Sequence, residues 1–116
     1  MELVAFLGDD KENWGQISGL INKGKWDKVI IVKNKDAGDF PNSGETIKID
    51  SSLPLVELKA VIIEKLKTKI GGDFEVALSI ASGNGKEHMA LISALLSIPV
   101  GIRFAAFTRK GIEFVN

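Results

Sequence analysis

The sequence predicts an α/β fold, a three-layer sandwich in which helices cover both faces of a mostly parallel sheet. Two observations predict it. Short apolar or β-branched runs alternate along the chain with segments whose apolar residues recur at helical spacing, which is the pattern of parallel strands joined by helices. The last two strand-like runs, at residues 103–107 and 112–115, are separated by a tight turn, so the sheet is expected to end in a C-terminal β-hairpin.

The first quarter of the chain predicts one helix between two strands. Leu3–Leu7 is a continuous apolar run, which is typical of a strand buried on both faces. Asp9 and Glu12 have the spacing of a capping box, so a helix is expected to begin there. Its apolar face contains Trp14, Ile17, Leu20 and Ile21. Gly24 is expected to end this helix, and Val29–Val32 is expected to form the second strand.

The middle of the chain predicts a loop, an edge strand and a second helix. Residues 34–45 have no period and are rich in turn residues, so they are expected to form a loop. Thr46–Ile49 alternates polar and apolar residues, as a half-exposed edge strand does. Pro54 marks the start of a helix whose apolar residues recur at helical spacing, and Gly71 and Gly72 are expected to end it.

The last third predicts the fourth strand, a third helix and the hairpin. Phe74–Ile80 is strand-like, and Lys86–Ile98 is apolar on most sides, so this helix is expected to be mostly buried. Pro99 ends it. Arg103–Phe107 and Ile112–Val115 then pair across the turn.

Chain connectivity predicts where a ligand would bind. Right-handed crossovers favour a Rossmann-like sheet in which the first and fourth strands are central neighbours. Ligands of such sheets bind beyond the carboxyl ends of the strands, where the strand order reverses. The turns expected at that point are Gly8–Asp10 and Ser82–Lys86.

Composition limits the class of protein. A chain of 116 residues predicts one domain, residues 1–116, and 45% apolar with 26% charged residues is ordinary for a globular protein. Fifteen basic and fifteen acidic residues cancel, which argues against a generic nucleic-acid coat. Because the chain has no cysteine and one histidine, disulfides and cysteine or multi-histidine zinc sites are excluded. No metal and no cofactor are therefore predicted.

Targeting signals are also absent from the sequence. No run approaches the roughly 20 apolar residues that cross a bilayer, so no membrane association is predicted. The opening MELVAFLGDD lacks the basic segment and cleavage site of a signal peptide. The expected location is the cytoplasm.

The loop at residues 82–86 is the strongest functional candidate. Gly83, Asn84 and Gly85 permit unusual backbone geometry and place amides toward one spot, where Lys86 adds a positive charge. Such a spot suits an anion, and a phosphate is the expected one. The loop is neither the dinucleotide fingerprint nor a complete P-loop. The alternative, equally weighted, is a strand–helix turn that needs glycine for geometry alone.

Three further residue types have a functional and a structural interpretation. His88 could contact a phosphate or ribose or transfer a proton, or it could simply pack near the helix start. Asp9 and Asp10 could hold a ribose hydroxyl or a metal, or activate a 2′-hydroxyl, although helix capping explains the Asp9/Glu12 spacing. Trp14 belongs either to the helix core face or to a base-stacking surface.

The order of elements and the run SGNGKEHM at residues 82–89 resemble the CRISPR-associated Rossmann fold domains, the CARF family. The family's signature follows the fourth strand: small polar residues, glycines, a lysine or arginine, then often a methionine that opens an apolar helix. Ser82, Gly83, Asn84, Gly85, Lys86 and Met89 occupy that pattern, and ALISALL continues it. Two features depart from it. Gly85 replaces the common threonine, and two aspartates follow the first strand.

The resemblance implies binding of a cyclic oligoadenylate, or a related nucleotide, across a homodimer. In a domain of this kind we expect Gly83, Asn84, Gly85 and Lys86 to contact phosphates, and Gly8, Ser82 and His88 to line the same pocket. The apolar surface of the last helix and the two-fold symmetry of such ligands both favour a homodimer.

Three roles follow. Because no effector domain is predicted, a stand-alone sensor or ligand sink is the first. The second is a metal-independent ring nuclease, in which Lys86 stabilises developing charge and His88 or Asp10 handles a proton. The third is a structural or regulatory subunit whose glycine loop binds nothing.

Overall fold

The computed structural model describes residues 1–41, 44–72 and 74–116. Within these ranges, six strands form one sheet, and the strands are β1 (Glu2–Leu7), β2 (Val29–Asn34), β3 (Glu45–Ile49), β4 (Glu75–Ser79), β5 (Gly101–Thr108) and β6 (Gly111–Phe114). The helices are α1 (Trp14–Lys23), α2 (Leu55–Leu66) and α3 (Gly85–Ser97), and a 3-10 turn, Lys11–Asn13, precedes α1. The predicted α/β class is confirmed.

The sheet has the order β3-β2-β1-β4-β5-β6. β1 pairs in parallel with both β2 and β4, so Val4 lies between Ile30 and Leu78. β5 extends the parallel sheet beside β4, and β6 pairs with β5 antiparallel as the predicted hairpin. The prediction that the first and fourth strands are adjacent is therefore confirmed. Their apolar side chains occupy the centre because only a central strand is covered on both faces.

Helices cover the two faces of the sheet unequally. α2 and α3 pack together on one face, where Phe6, Leu58, Ile62 and Leu91 belong to one fully buried cluster. The other face carries α1, whose Ile17 packs with strand residues of β1 and β2. The result is the expected three-layer arrangement, with a single helix on the second face within the described chain.

One helix prediction is wrong in detail. The capping box expected at Asp9 and Glu12 does not form: α1 begins at Trp14, and Asn13 at its N-cap makes no side-chain capping hydrogen bond. The complete capping box lies instead at the start of α3, between Asn84 and Glu87. The neighbouring Asp10 does make side-chain hydrogen bonds, but to Ser82 and Gly83 in the loop between β4 and α3 and not to the start of α1.

Other boundaries shift by a few residues. α1 ends at the predicted Gly24, whose N–H bonds to Leu20 O, whereas α2 ends at Leu66, before the predicted glycines. α3 is less buried than expected, because Met89 is 56% exposed and Leu96 is 62% exposed. Asn42 and Ser43, two residues of the predicted loop at 34–45, lie outside the described residues.

No helix in the described part of the chain combines the length and apolar character needed to cross a membrane.

Two glycines of α1 provide a matched test of its packing. A Cβ at Gly15 would meet no atom within 4 Å, so Gly15→Ala should raise the free energy of unfolding by up to about 1 kcal/mol through helix propensity. At Gly19 a Cβ would lie 2.4 Å from the Phe107 ring, so Gly19→Ala should lower it by about 1–2 kcal/mol. Urea unfolding measures both, and equal effects of the two variants would contradict this packing.

Candidate functional site

Several loops meet at the carboxyl edge of the sheet, where the strand order reverses between β1 and β4. They enclose a cleft of about 240 Å³. Its lining consists of Asp9, Asp10, Asn34, Ser51, Gly83, Asn84 and Glu87. The parallel strands β1, β2, β3 and β4 all end at this edge, which is why residues distant in sequence converge there.

Two glycines allow the β1 and β4 loops to touch. A Cβ on Gly8 would lie 2.7 Å from Gly83 Cα, closer than two non-bonded carbon atoms approach in proteins. Gly83 has a φ of +102°, and a Cβ there would also lie 2.6 Å from the Phe6 ring. Both glycines are therefore required by geometry, whatever else the loop does.

The carboxylate of Asp10 joins these two loops. Its Oδ1 accepts hydrogen bonds from Ser82 Oγ at 2.6 Å and from Gly83 N–H at 2.9 Å. Its Oδ2 accepts from Asn13 Nδ2 at 2.7 Å. Partial burial alone would raise the pKa of Asp10, but these hydrogen bonds outweigh burial and lower that pKa below its ordinary value. Asp10 is thus an ionised side chain that bridges the cleft floor.

Glu87 makes a second bridge, from α3 to the loop after β3. One carboxylate oxygen accepts from Asn84 N–H at 2.9 Å, and the other accepts from the Ser51 hydroxyl. Lys86 reinforces the same contact, because its Nζ donates to Ser51 O at 2.9 Å. The Lys86 ammonium therefore lies at the rim of the cleft and does not line it.

Some polar groups at this edge have no protein partner. The Asp9 carboxylate makes no hydrogen bond or ion pair with another described residue. The backbone N–H groups of Gly85 and Lys86, in the first turn of α3, have no acceptor within the described chain. A helix N-terminus carries partial positive charge, so these amides suit an anion approaching from solvent.

His88 lies behind the loop, outside the cleft lining. Its Nε2 is 2.7 Å from Ser82 O, and because a carbonyl only accepts, Nε2 carries the proton and donates. The ring also meets Phe6 edge-on, with centroids 6.2 Å apart. The His88 side chain therefore holds the loop in place by donating to the backbone carbonyl of Ser82.

Trp14 also supports the loops. Its Nε1 donates to Gly8 O at 3.0 Å, and its ring packs edge-on against Phe40. The core interpretation of Trp14 applies, because its indole N–H bonds to Gly8 O and the side chain is partly buried against the cluster that contains Ile17.

The structure brings together most residues that the sequence singled out. Asp10, Gly83 and Asn84 line the cleft, whereas Gly8, Ser82 and His88 support it from beneath and Lys86 stands at its rim. The sequence interpretation missed Asn34, Ser51 and Glu87. The spacing Asn84-x-x-Glu87 was the available signal for Glu87, since it matches a capping box.

The electrostatics of the cleft favour hydrogen-bond donors. Three carboxylates line it, and no lysine or arginine does. Among the described residues no cluster of acidic or histidine side chains is arranged to hold a metal ion. A phosphate is thus better placed at the rim, near Lys86 and the free amides, than deep in the cleft.

A larger cavity of about 480 Å³ lies on the α1 face, between α1 and β5. Apolar residues such as Leu20, Phe107 and Val115 line most of it, and among the described residues its polar side chains are Gln16 and Ser79, with no charged one. It offers volume with few polar groups to orient a ligand, whereas the smaller cleft concentrates them, so the smaller cleft is the stronger candidate site.

No protein-family model matches this chain, and no curated protein or solved structure matches it. A function for this protein therefore rests on its own residues and their geometry.

The lowered pKa of Asp10 predicts how stability depends on pH. The ionised form is favoured in the folded state, so its stabilisation is present above the ordinary aspartate pKa and is lost as the pH falls below about 4. Asp10→Asn should lower the free energy of unfolding by about 1–2 kcal/mol at neutral pH, after allowance for solvent exposure, and by less at low pH. Urea unfolding across pH measures this difference.

Asp9→Asn is the matched control, because Asp9 has no comparable hydrogen bonds. It should leave stability unchanged across the same range. An Asp10→Asn effect that does not shrink in acid would show that the carboxylate charge is not what holds the loops.

Proposed function

We propose that this protein is a CARF-like nucleotide-binding module, a cytoplasmic sensor or sink for a cyclic oligoadenylate in a CRISPR-linked signalling system. One observation carries the proposal. At the switch point of the sheet, unpartnered backbone donors of α3 stand beside a cleft lined by carboxylate, carboxamide and hydroxyl groups. Phosphate and ribose need those two kinds of surface next to each other.

The phosphate would bind at the rim. The N–H groups of Gly85 and Lys86 are free and lie at the positive end of a 13-residue helix. The Lys86 side chain is exposed, and its partner is a single backbone carbonyl. A phosphate would offer that ammonium a stronger, charge-assisted partner.

The sugar would bind in the cleft. Asp9 is a free acceptor for ribose hydroxyls. The carboxamide oxygens of Asn34 and Asn84 already accept the N–H groups of Ser51 and Glu87, so these two side chains offer their Nδ2 groups as donors around it. A cleft of about 240 Å³ accommodates part of one nucleotide and not a ring of several. A cyclic oligoadenylate would therefore span this edge in two copies of the chain.

A homodimer is part of the proposal. Met89 and Leu96 lie seven positions apart on α3, on the same side of the helix, and both are more than half exposed. An isologous contact across a two-fold axis would cover them and present two clefts to one symmetric ligand. Light scattering at micromolar concentration should give twice the 12.5 kDa chain mass, whereas a purely monomeric species would contradict the dimer.

A second candidate is a structural or regulatory subunit that binds no nucleotide. It is favoured by a specific observation: Asp10 and Glu87 already satisfy the donors of Ser82, Gly83 and Asn84. In such a subunit the loop only connects β4 to α3 and holds the β1 loop beside it, and the glycines are needed only for its backbone geometry.

Ring cleavage has less support from the geometry. Asp10 has a lowered pKa, which makes it a weak proton acceptor, and His88 donates to Ser82 O behind the loop. Lys86 is the candidate nearest the proposed phosphate, and a cation alone supplies no proton acceptor.

Replacing Lys86 tests the phosphate role. Lys86→Ala should weaken oligoadenylate binding roughly tenfold to a hundredfold, because it removes a charge-assisted contact worth about 1.5–3 kcal/mol. Lys65→Ala is the matched control: its Nζ also donates to a backbone carbonyl, Lys48 O, at 2.7 Å, but on α2 away from the cleft. Calorimetric titration of a cyclic oligoadenylate measures both.

Three results would decide between the candidates. Loss of affinity in Lys86→Ala alone supports the nucleotide site. Equal affinities of wild type, Lys86→Ala and Lys65→Ala reject the phosphate-binding role of Lys86. A wild-type protein that binds no nucleotide leaves the structural-subunit proposal standing.

A further inference from the structure

The donors of the glycine loop already hold an anion. A glycine loop before a helix is not in itself an anion site, but here Ser82 Oγ–H and Gly83 N–H converge on a single oxygen, Asp10 Oδ1, at 2.6 and 2.9 Å. That oxygen belongs to a carboxylate delivered from the β1 loop, 72 positions earlier in the sequence. The loop is therefore occupied by an anion that the chain itself supplies.

Contacts other than those of Asp10 orient the two donors, Ser82 Oγ–H and Gly83 N–H. Ser82 is fully buried, and its Oγ accepts the Gly8 N–H at 2.8 Å, which restricts the direction in which its own proton points. The N–H of Gly83 is oriented by a backbone with φ of +102°. Two preorganised donors aimed at one point bind a phosphate oxygen as readily as a carboxylate oxygen.

We propose that Asp10 is an autoinhibitory contact, an internal competitor that a ligand phosphate displaces from Ser82 and Gly83. This inference rests on the proposed nucleotide binding at the same loop. While Asp10 stays bound, a phosphate is confined to the rim. It reaches Ser82 and Gly83 only as the Asp10 carboxylate leaves them, because the two anions would repel each other at the same donors.

Displacement would also transmit the binding event. Asp10 supplies two of the hydrogen bonds between the β1 loop and the β4 loop, while the Gly8–Ser82 bond remains when Asp10 leaves. Residues 10–13 would then be released from the β4 loop. Binding at one loop thereby changes the conformation of another, which is what a sensor needs.

The test compares two neighbouring aspartates. Asp10→Asn and Asp9→Asn remove the same charge from the same cleft, but only Asp10 is bound to the loop donors. Titration of the full chain with inorganic phosphate and with AMP, at constant ionic strength, should show Asp10→Asn binding at least roughly tenfold more tightly than wild type. For inorganic phosphate, which has no ribose to contact Asp9, Asp9→Asn should change affinity much less, because it removes only background repulsion.

Asn13→Ala provides a second variant that keeps every charge of the cleft. It removes one of the three donors that hold Asp10, so phosphate should bind a few-fold more tightly. This variant answers the question even if Asp10→Asn is too unstable to titrate.

The outcomes separate the two proposals. If wild type binds AMP and neither Asp10→Asn nor Asn13→Ala binds more tightly, the autoinhibitory contact is rejected while nucleotide binding stands. Equal tightening by Asp9→Asn and Asp10→Asn also rejects it, since the effect would be general repulsion. If no variant binds phosphate or AMP at millimolar concentration, both proposals fail.

Discussion

The hydrogen bonds from Ser82 and Gly83 to the Asp10 carboxylate determine how the carboxyl edge of this protein is built. They join the loop after β1 to the loop after β4, across the centre of the sheet. The close approach of Gly8 and Gly83, the positive φ of Gly83 and the position of His88 all belong to the same joint. The cleft exists because this joint holds its floor while Glu87 holds its far wall.

The same carboxylates that shape the cleft limit what it can bind. While Asp10 is bound to its loop, a cleft lined by Asp9, Asp10 and Glu87 favours hydroxyl and amino groups over a phosphate, and the amides available to an anion lie at its rim, on the first turn of α3. This division reconciles an acidic cleft with the anionic ligand that we propose. It also distinguishes the three acids: Asp10 and Glu87 are bound to loops, and Asp9 is free for a ligand.

Much of the fold could be predicted from the sequence because burial leaves a pattern in it. The continuous apolar run of β1 and the helical spacing in α2 follow directly from their surroundings, and chain connectivity then places β1 beside β4. Helix caps were harder. The spacing Asp9-x-x-Glu12 matches a capping box as well as Asn84-x-x-Glu87 does, and only tertiary contacts decide which one forms.

The sequence predicted where the candidate site lies, but it did not predict the roles of its residues. Glycine content and connectivity indicate where a loop can bind an anion, and they cannot show that Asp10, 72 positions away from Ser82, fills that position. Ser51 and Asn34 were missed for the same reason: neither belongs to a motif, and both reach the cleft because their strands end at this edge.

The most direct test of the account is an NMR titration of the full chain with a cyclic oligoadenylate, observing backbone amides and the Asp10 carboxyl carbon. We expect saturable shifts of the Gly83, Gly85 and Lys86 amides together with a change at the Asp10 carboxyl as it leaves Ser82. Absence of any shift would contradict nucleotide binding. Shifts confined to the apolar cavity beside Leu20 and Phe107 would place the ligand elsewhere and refute this site.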